Sequence, residues 1–288
     1  MKRYLKLVKF SHTIFAMPFA LIGFALAITI SGEEFSMFKF ALVLFAMITA
    51  RNAAMGFNRY LDRDIDALNP RTANREIPTG EVAERSALVF VILNSVLFMF
   101  TAFFINFLCF LLALPALAVL FGYSYMKRVS ALSHYVLGIA LSIAPIGSYL
   151  SVTGEFHHVP LILSAIVLLW VSGFDIIYSI ADEEFDKENN LHSVPCLFGK
   201  RWALYISSLG HLMVLPFLVL LYYSVNSSVE NTLSWIYITG SLIFSSLLLW
   251  QHLIISPKNL TRINAAFFTL NGIASVIFAS FFILDLFL

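Results

Sequence analysis

With 288 residues, 60% of them hydrophobic and only 12% charged, the chain carries more apolar surface than a soluble core of this length can hide. A formal net charge of +1, from 18 Lys and Arg against 17 Asp and Glu, excludes the basic balance of a nucleic-acid binder. Two cysteines, Cys109 in an apolar run and Cys196 in a polar loop, have no CxxC or Cys/His spacing, which excludes a thiol-built zinc or redox centre.

A helix needs about 20 residues to cross the hydrocarbon core of a bilayer, so this length allows eight to ten crossings with short connections. Apolar runs bounded by polar punctuation predict spans at residues 11–30, 37–57, 86–105, 107–125, 131–152, 159–181, 202–225, 233–255 and 263–288. The first run follows Lys2, Arg3, Lys6 and Lys9 but is span-length and lacks a small-x-small cleavage site, so it reads as a retained span. Pro115, Pro145 and Pro216 fall inside runs, where neighbouring helices tolerate a kink. The expectation is an all-α, multi-span transmembrane bundle of about nine helices forming a single domain over residues 1–288.

Loop charge orients this arrangement. With a cytoplasmic N-terminus, the inside loops receive Arg59, Arg63, Arg71, Arg75, Arg85, Lys127, Arg128, Lys187, Lys200, Arg201, Lys258 and Arg262, and the outside loops only Lys39. The C-terminus then lies outside, and the chain is expected to be a multi-pass protein of the cell inner membrane.

The inside loops after the second and sixth runs are the longest and carry acids at four-residue spacing. In the first, Asn58, Asp62 and Asp66 share one stripe if the helix persists, since four residues drift by only about 40°. Asp64 points elsewhere, and Arg51 extends the stripe deeper into the membrane. In the second, Asp175, Tyr178, Asp182 and Asp186 share a face while Glu183 and Glu184 turn away. Asp62 and Asp182 are 120 residues apart, which hints at an old duplication.

Clustered carboxylates repel unless a cation joins them, and hard oxygen donors suit Mg²⁺ that also takes phosphate oxygens. A lone DxxxD would be a solvated helix end. Two such clusters, each preceded by a polar or ionisable residue inside a span, favour a site, because groups such as Asp175 and Arg51 are costly in the membrane. Arg71, Arg75, Lys127, Arg128, Lys200 and Arg201 are available to neutralise a diphosphate, although inside loops are basic for topology alone.

These residues resemble the UbiA superfamily of membrane prenyltransferases. The first family motif matches Asn58, Asp62 and Asp66; the second, a DxxxD preceded by Asp-x-x-Tyr, matches Asp175, Tyr178, Asp182 and Asp186. The stretch 71–80, reading RTANREIPTG, is similar to the family's RTANRPLPSG, and residues 125–128 and 193–200 look familiar as well. The chain departs from many members at Arg59, where Asp is frequent, and at Glu76, where Pro is common.

The resemblance implies a nine-helix bundle with two Mg²⁺ ions on Asn58, Asp62, Asp66, Asp182 and Asp186, and a cap formed by the two acidic loops. It implies a lateral opening to lipid and substrate contacts from Arg51, Arg71, Arg75, Lys127, Arg128, Asp175, Tyr178 and Lys200. The implied reaction joins a polyprenyl diphosphate to a 4-hydroxybenzoate-type aromatic acid in quinone biosynthesis. A naphthoate-type acceptor of menaquinone synthesis is the alternative suggested by the form of residues 183–195. His192 and the pair His157 and His158 read as loop-fixing residues, and nothing calls for a protein partner. A secondary transporter would also bury carboxylates, but near the bilayer midplane rather than at the helix ends.

Overall fold

The computed structural model describes residues 2–9, 15–230 and 232–288, and every described element is a helix. In chain order these are α1 (Lys2–Leu7), α2 (Met17–Ser31), α3 (Met37–Leu61), α4 (Arg63–Leu68), α5 (Glu84–Ile105) and α6 (Phe107–Met126). They continue with α7 (Ser133–Thr153), α8 (His158–Ser179), α9 (Glu183–Glu188), α10 (Val194–Ser228), α11 (Trp235–Ile254) and α12 (Asn271–Phe287), the last preceded by a π-helical segment, Ala265–Leu270.

Eight described helices are long and apolar enough to cross a membrane. The first predicted run yields the shorter apolar α2, of 15 residues, and residues 11–14 of that run lie outside the described residues. Boundaries follow local chemistry. Gly32 and Gly154, at φ 70° and 69°, end α2 and α7 in the left-handed conformation that glycine adopts without strain. Ser36 and Ser193 cap α3 and α10, each hydroxyl accepting a backbone N–H three residues on. Helix α10 starts eight residues before the predicted run because a short helical stretch from Val194 is joined to it across a kink at Gly199, with φ 79° and ψ 163°.

The helices group into two compact units, Met1–Thr13 with Ser36–Tyr125 and Ile14–Phe35 with Met126–Leu288. In the first, α3 packs along α5, and Asn52 Nδ2 donates to Asn94 Oδ1 across that contact at 3.1 Å. Leu7 from α1 joins Ile77, Val82 and Ala87 in a small core beneath the loop that follows α4. In the second, α8 is central and packs on α7 and α10, burying Leu163, Ile166, Val167, Trp170 and Val171 completely. Helix α2 lies against α7 and α12 and also reaches α8, where Phe19 meets Trp170 at a centroid distance of 5.0 Å.

Buried hydroxyls stitch the second unit together. Ser148 Oγ donates to Ala20 O, Ser164 Oγ to Ser142 O and Ser207 Oγ to Gly173 O, at 2.6, 2.8 and 2.6 Å. Small residues let membrane helices approach this closely, and the hydroxyl then finds a carbonyl on the neighbouring helix.

Candidate functional site

Each unit carries one of the acidic clusters. In the first unit α3 ends at Leu61, and Asp62 joins it to α4 with φ −88° and ψ 2°. The backbone ladder nevertheless continues, with Asp62 N donating to Asn58 O at 3.0 Å and Asp66 N to Asp62 O at 2.7 Å. The predicted stripe therefore survives the junction. Asn58 Nδ2 donates to Asp62 Oδ2 at 3.2 Å and reaches Ser124 Oγ on α6 at 3.4 Å.

Asp62 and Asp66 are 2% and 4% exposed, and carboxylates buried to that degree need partners. Asp66 has one in Arg75, whose Nη1 donates to both carboxylate oxygens at 2.6 and 2.7 Å; Arg59 Nη1 stands 4.0 Å away. The loop that delivers Arg75 is built by its own polar side chains. Asn69 Oδ1 accepts from Arg71 N at 2.9 Å, Thr72 Oγ1 donates to Asp66 O at 3.0 Å, and Arg75 N donates to Thr72 O at 2.9 Å. The stretch 71–80 is thus a sequence of turn-forming groups ending in a carboxylate clamp. Asp64 leaves the stripe as expected: it is exposed and pairs with Arg63 at 3.8 Å.

Cations gather around this cluster. Burial, then the charges of Arg59, Arg75 and Arg71, push the Lys9 ammonium down to about 8. Arg71 is exposed. Deeper along α3, the Nε of Arg51 is buried without a hydrogen-bond partner. Arg51, Arg59 and Asp62 all lie within electrostatic range of Tyr123 on α6.

In the second unit, α8 carries Asp175 and Tyr178, ends at Ser179 and tightens into a 3-10 turn, Ile180–Asp182, before α9 begins. A 3-10 turn advances about 120° per residue, so one unbroken α-helical face does not connect Asp175 with Asp182 and Asp186. Asp175 Oδ2 accepts from His134 Nδ1 at 2.6 Å, and the other ring nitrogen of His134 accepts the Val194 N–H at 3.3 Å. An acceptor at Nε2 assigns the proton to Nδ1. His134 thereby ties α7, α8 and the start of α10 together, a role no motif announced.

Tyr178 lies face to face with Phe267 of the π-helical segment, with centroids 4.0 Å apart and rings tilted by 25°; Phe268 meets it edge-on at 5.9 Å. Phe267 was indistinguishable by sequence among 29 phenylalanines. Glu183 differs from expectation: it is 6% exposed and paired with Lys187 at 2.6 Å and Lys200 at 3.7 Å. Glu184 does turn outward and meets Lys200 at 3.3 Å. Lys200 thus serves the acids of its own loop. The Lys127 carbonyl accepts the His192 N–H at 2.6 Å, fixing the second acidic loop to the α6–α7 connection, while Arg128 is half-buried.

The profile of the UbiA prenyltransferase family matches residues 16–273. A 4-hydroxybenzoate octaprenyltransferase of Psychromonas ingrahamii is 29% identical over 233 residues, 81% of this chain and 79% of that protein. The structure of a UbiA homologue from Aeropyrum pernix superposes with a TM-score of 0.84 and 30% identity, covering 95% of this chain and 98% of that one. A UbiA homologue from Archaeoglobus fulgidus, solved bound to DMAPP and Mg²⁺, shares the fold with a TM-score of 0.71 at 21% identity over 99% of both chains. With both acidic motifs inside the matched region, this multi-pass membrane chain belongs to the UbiA prenyltransferase family.

Proposed function

We propose that this membrane prenyltransferase transfers a polyprenyl group from a polyprenyl diphosphate to an aromatic acid of the 4-hydroxybenzoate type, with Mg²⁺, as a step of quinone biosynthesis. The observation that carries the reading is the buried pair Asp62 and Asp66 at a membrane-helix end, with Arg75 clamped on Asp66. The names of the curated relatives support the acceptor class.

The donor groups fit a hard cation. Among the described residues no three His, Cys, Asp or Glu form a metal cage by themselves. Mg²⁺ is commonly held by one or two carboxylates with water and substrate phosphates, which is what Asp62 and Asp66, with Asn58, and Asp182 and Asp186 can offer. When bound, Mg²⁺ would neutralise charge developing on the diphosphate. Arg71 beside the first cluster, and Lys127 and Arg128 in the second unit, are cations available to a diphosphate, while Arg75 and Lys200 hold the acids of their own clusters. The donor C–O bond breaks with its electron pair leaving on diphosphate, and the resulting allylic cation is stabilised by an aromatic face such as Tyr178. The acceptor ring forms the new C–C bond ortho to its hydroxyl and loses that carbon's proton to regain aromaticity. Arg51 presents a guanidinium to the acceptor carboxylate, in a membrane that excludes water. Residues 1–288 act as one catalytic domain in the cell inner membrane, with the acidic loops cytoplasmic.

The test incubates membranes holding the full chain with labelled polyprenyl diphosphate and 4-hydroxybenzoate or a dihydroxynaphthoate, with and without Mg²⁺, and identifies products by mass. A prenylated hydroxybenzoate is expected, lost on chelation and reduced about a hundredfold or more in Asp62→Ala and Asp182→Ala. Arg51→Lys should raise the acceptor KM far more than the donor KM. Prenylation of the naphthoate alone would move the acceptor assignment, and near-normal turnover of either Asp variant at limiting Mg²⁺ would sink the metal reading.

A further inference from the structure

The π-helical segment Ala265–Leu270 precedes α12 in the second unit, and isolated π turns are rare because their backbone is less favourable than an α-helix. Here Asn271 compensates for it. This residue is completely buried, and its Nδ2 donates to the carbonyls of Ala266 and Phe267, both at 3.0 Å. Its Oδ1 accepts from Trp170 Nε1 on α8 and from Gln251 Nε2 on α11, both at 2.7 Å.

The orientation of this amide follows from chemistry. An indole nitrogen can only donate, so the atom facing Trp170 must be the Asn271 oxygen, and the nitrogen is left facing two carbonyls that can only accept. Gln251 closes the arrangement, its Oε1 accepting from Asn271 Nδ2 at 3.3 Å; it too is fully buried. A carboxamide offers an oxygen that accepts twice on one edge and an NH2 that donates twice on the other, which an apolar side chain such as Leu cannot.

The π turn places Phe267 and Phe268 consecutively against Tyr178, one by its face and one by its edge, while Phe267 also meets Phe174 edge-on at 5.2 Å. A regular helix through the same residues would rotate Phe267 away from this stack. We propose that Asn271 is a positioning residue for prenyl transfer: by holding the π turn against α8 and α11 it fixes Phe267 on Tyr178 and so sets the ring that faces the developing allylic cation. The inference rests on the reading of Tyr178 as part of the reaction site.

The test measures steady-state kinetics of the full-length chain in membranes, normalised to folded protein, for Asn271→Leu, Phe267→Leu and the double variant. A misplaced stabilising group costs rate in the transition state, so each single variant should lose about tenfold in kcat or more while donor KM moves by less than about twofold. The double variant should lose no more than the worse single one, because both act through the same ring. Where Asn271→Leu does not fold, Gln251→Met, which removes one donor to Oδ1, replaces it and should shift kcat in the same direction by less. Losses that multiply in the double variant, or that vanish on normalising to folded protein, overturn the role of Asn271. Failure of the functional reading would instead show in the unmodified chain, as absence of prenylated product.

Discussion

Asp66 and Arg75 illustrate how single residues carry this site. The carboxylate is almost wholly withdrawn from solvent and both of its oxygens rest on one guanidinium nitrogen. Removing one partner of a buried pair leaves an uncompensated charge, so Arg75→Ala should destabilise the protein by about 3 kcal/mol, with Asp66→Asn in the same chain recovering part of the loss. Thermal unfolding in detergent reads both. Lys9 gives a pH dependence with two opposite signs. Folding lowers its pKa from 10.5 to about 8, so between these values the unfolded chain binds the extra proton. The charged form therefore costs stability at low pH, a cost relieved as pH rises through the window to 10.5. On the proposed reaction with a diphosphate, a cation this near the first acidic cluster aids donor capture in its charged form. kcat/KM for the diphosphate should fall as pH rises through about 8, and Lys9→Gln should flatten that limb of the profile.

At the scale of elements, close helix approach is paid for by glycine. A Cβ on Gly23 of α2 would sit 2.3 Å from the carbonyl oxygen of Pro145 and 2.9 Å from its Cα, and neither backbone atom can rotate aside. Gly23→Ala should therefore cost about 1–3 kcal/mol by forcing α2 off α7. Gly122→Ala on α6, where a Cβ meets nothing within 4 Å, should change stability by less than about 1 kcal/mol, and unfolding midpoints compare the two. Helix ends likewise have partners far away in sequence. Asp285 near the end of α12 accepts from Ser234 N, Ser234 Oγ and Tyr237 N at 2.6, 2.5 and 2.9 Å, capping the start of α11. The sequence reading gave Asp285 no role, because its partners are about fifty residues away.

For the whole molecule, the bias of Lys and Arg toward alternate loops predicts a definite orientation. After Cys109 and Cys196 are replaced, single cysteines near Thr72 and Asn189 should react with an impermeant reagent from the cytoplasmic side, and those near Glu33 and Glu230 from the other. Labelling near Asn189 and Glu230 from one side would overturn the placement of α10. The run of apolar segments and the two acidic motifs were legible in the sequence because hydrophobic length and four-residue spacing are local properties of the chain. Asn58, Asp62 and Asp66 kept their predicted stripe for the same reason: i to i+4 geometry needs no neighbour. What only the tertiary structure decided were partners chosen across helices: His134 for Asp175, Phe267 for Tyr178, Glu183 for Lys200, and Asn271 for Trp170 and Gln251. Such pairs follow from how helices pack and where a 3-10 or π turn rotates a side chain, and no periodicity within one segment encodes that.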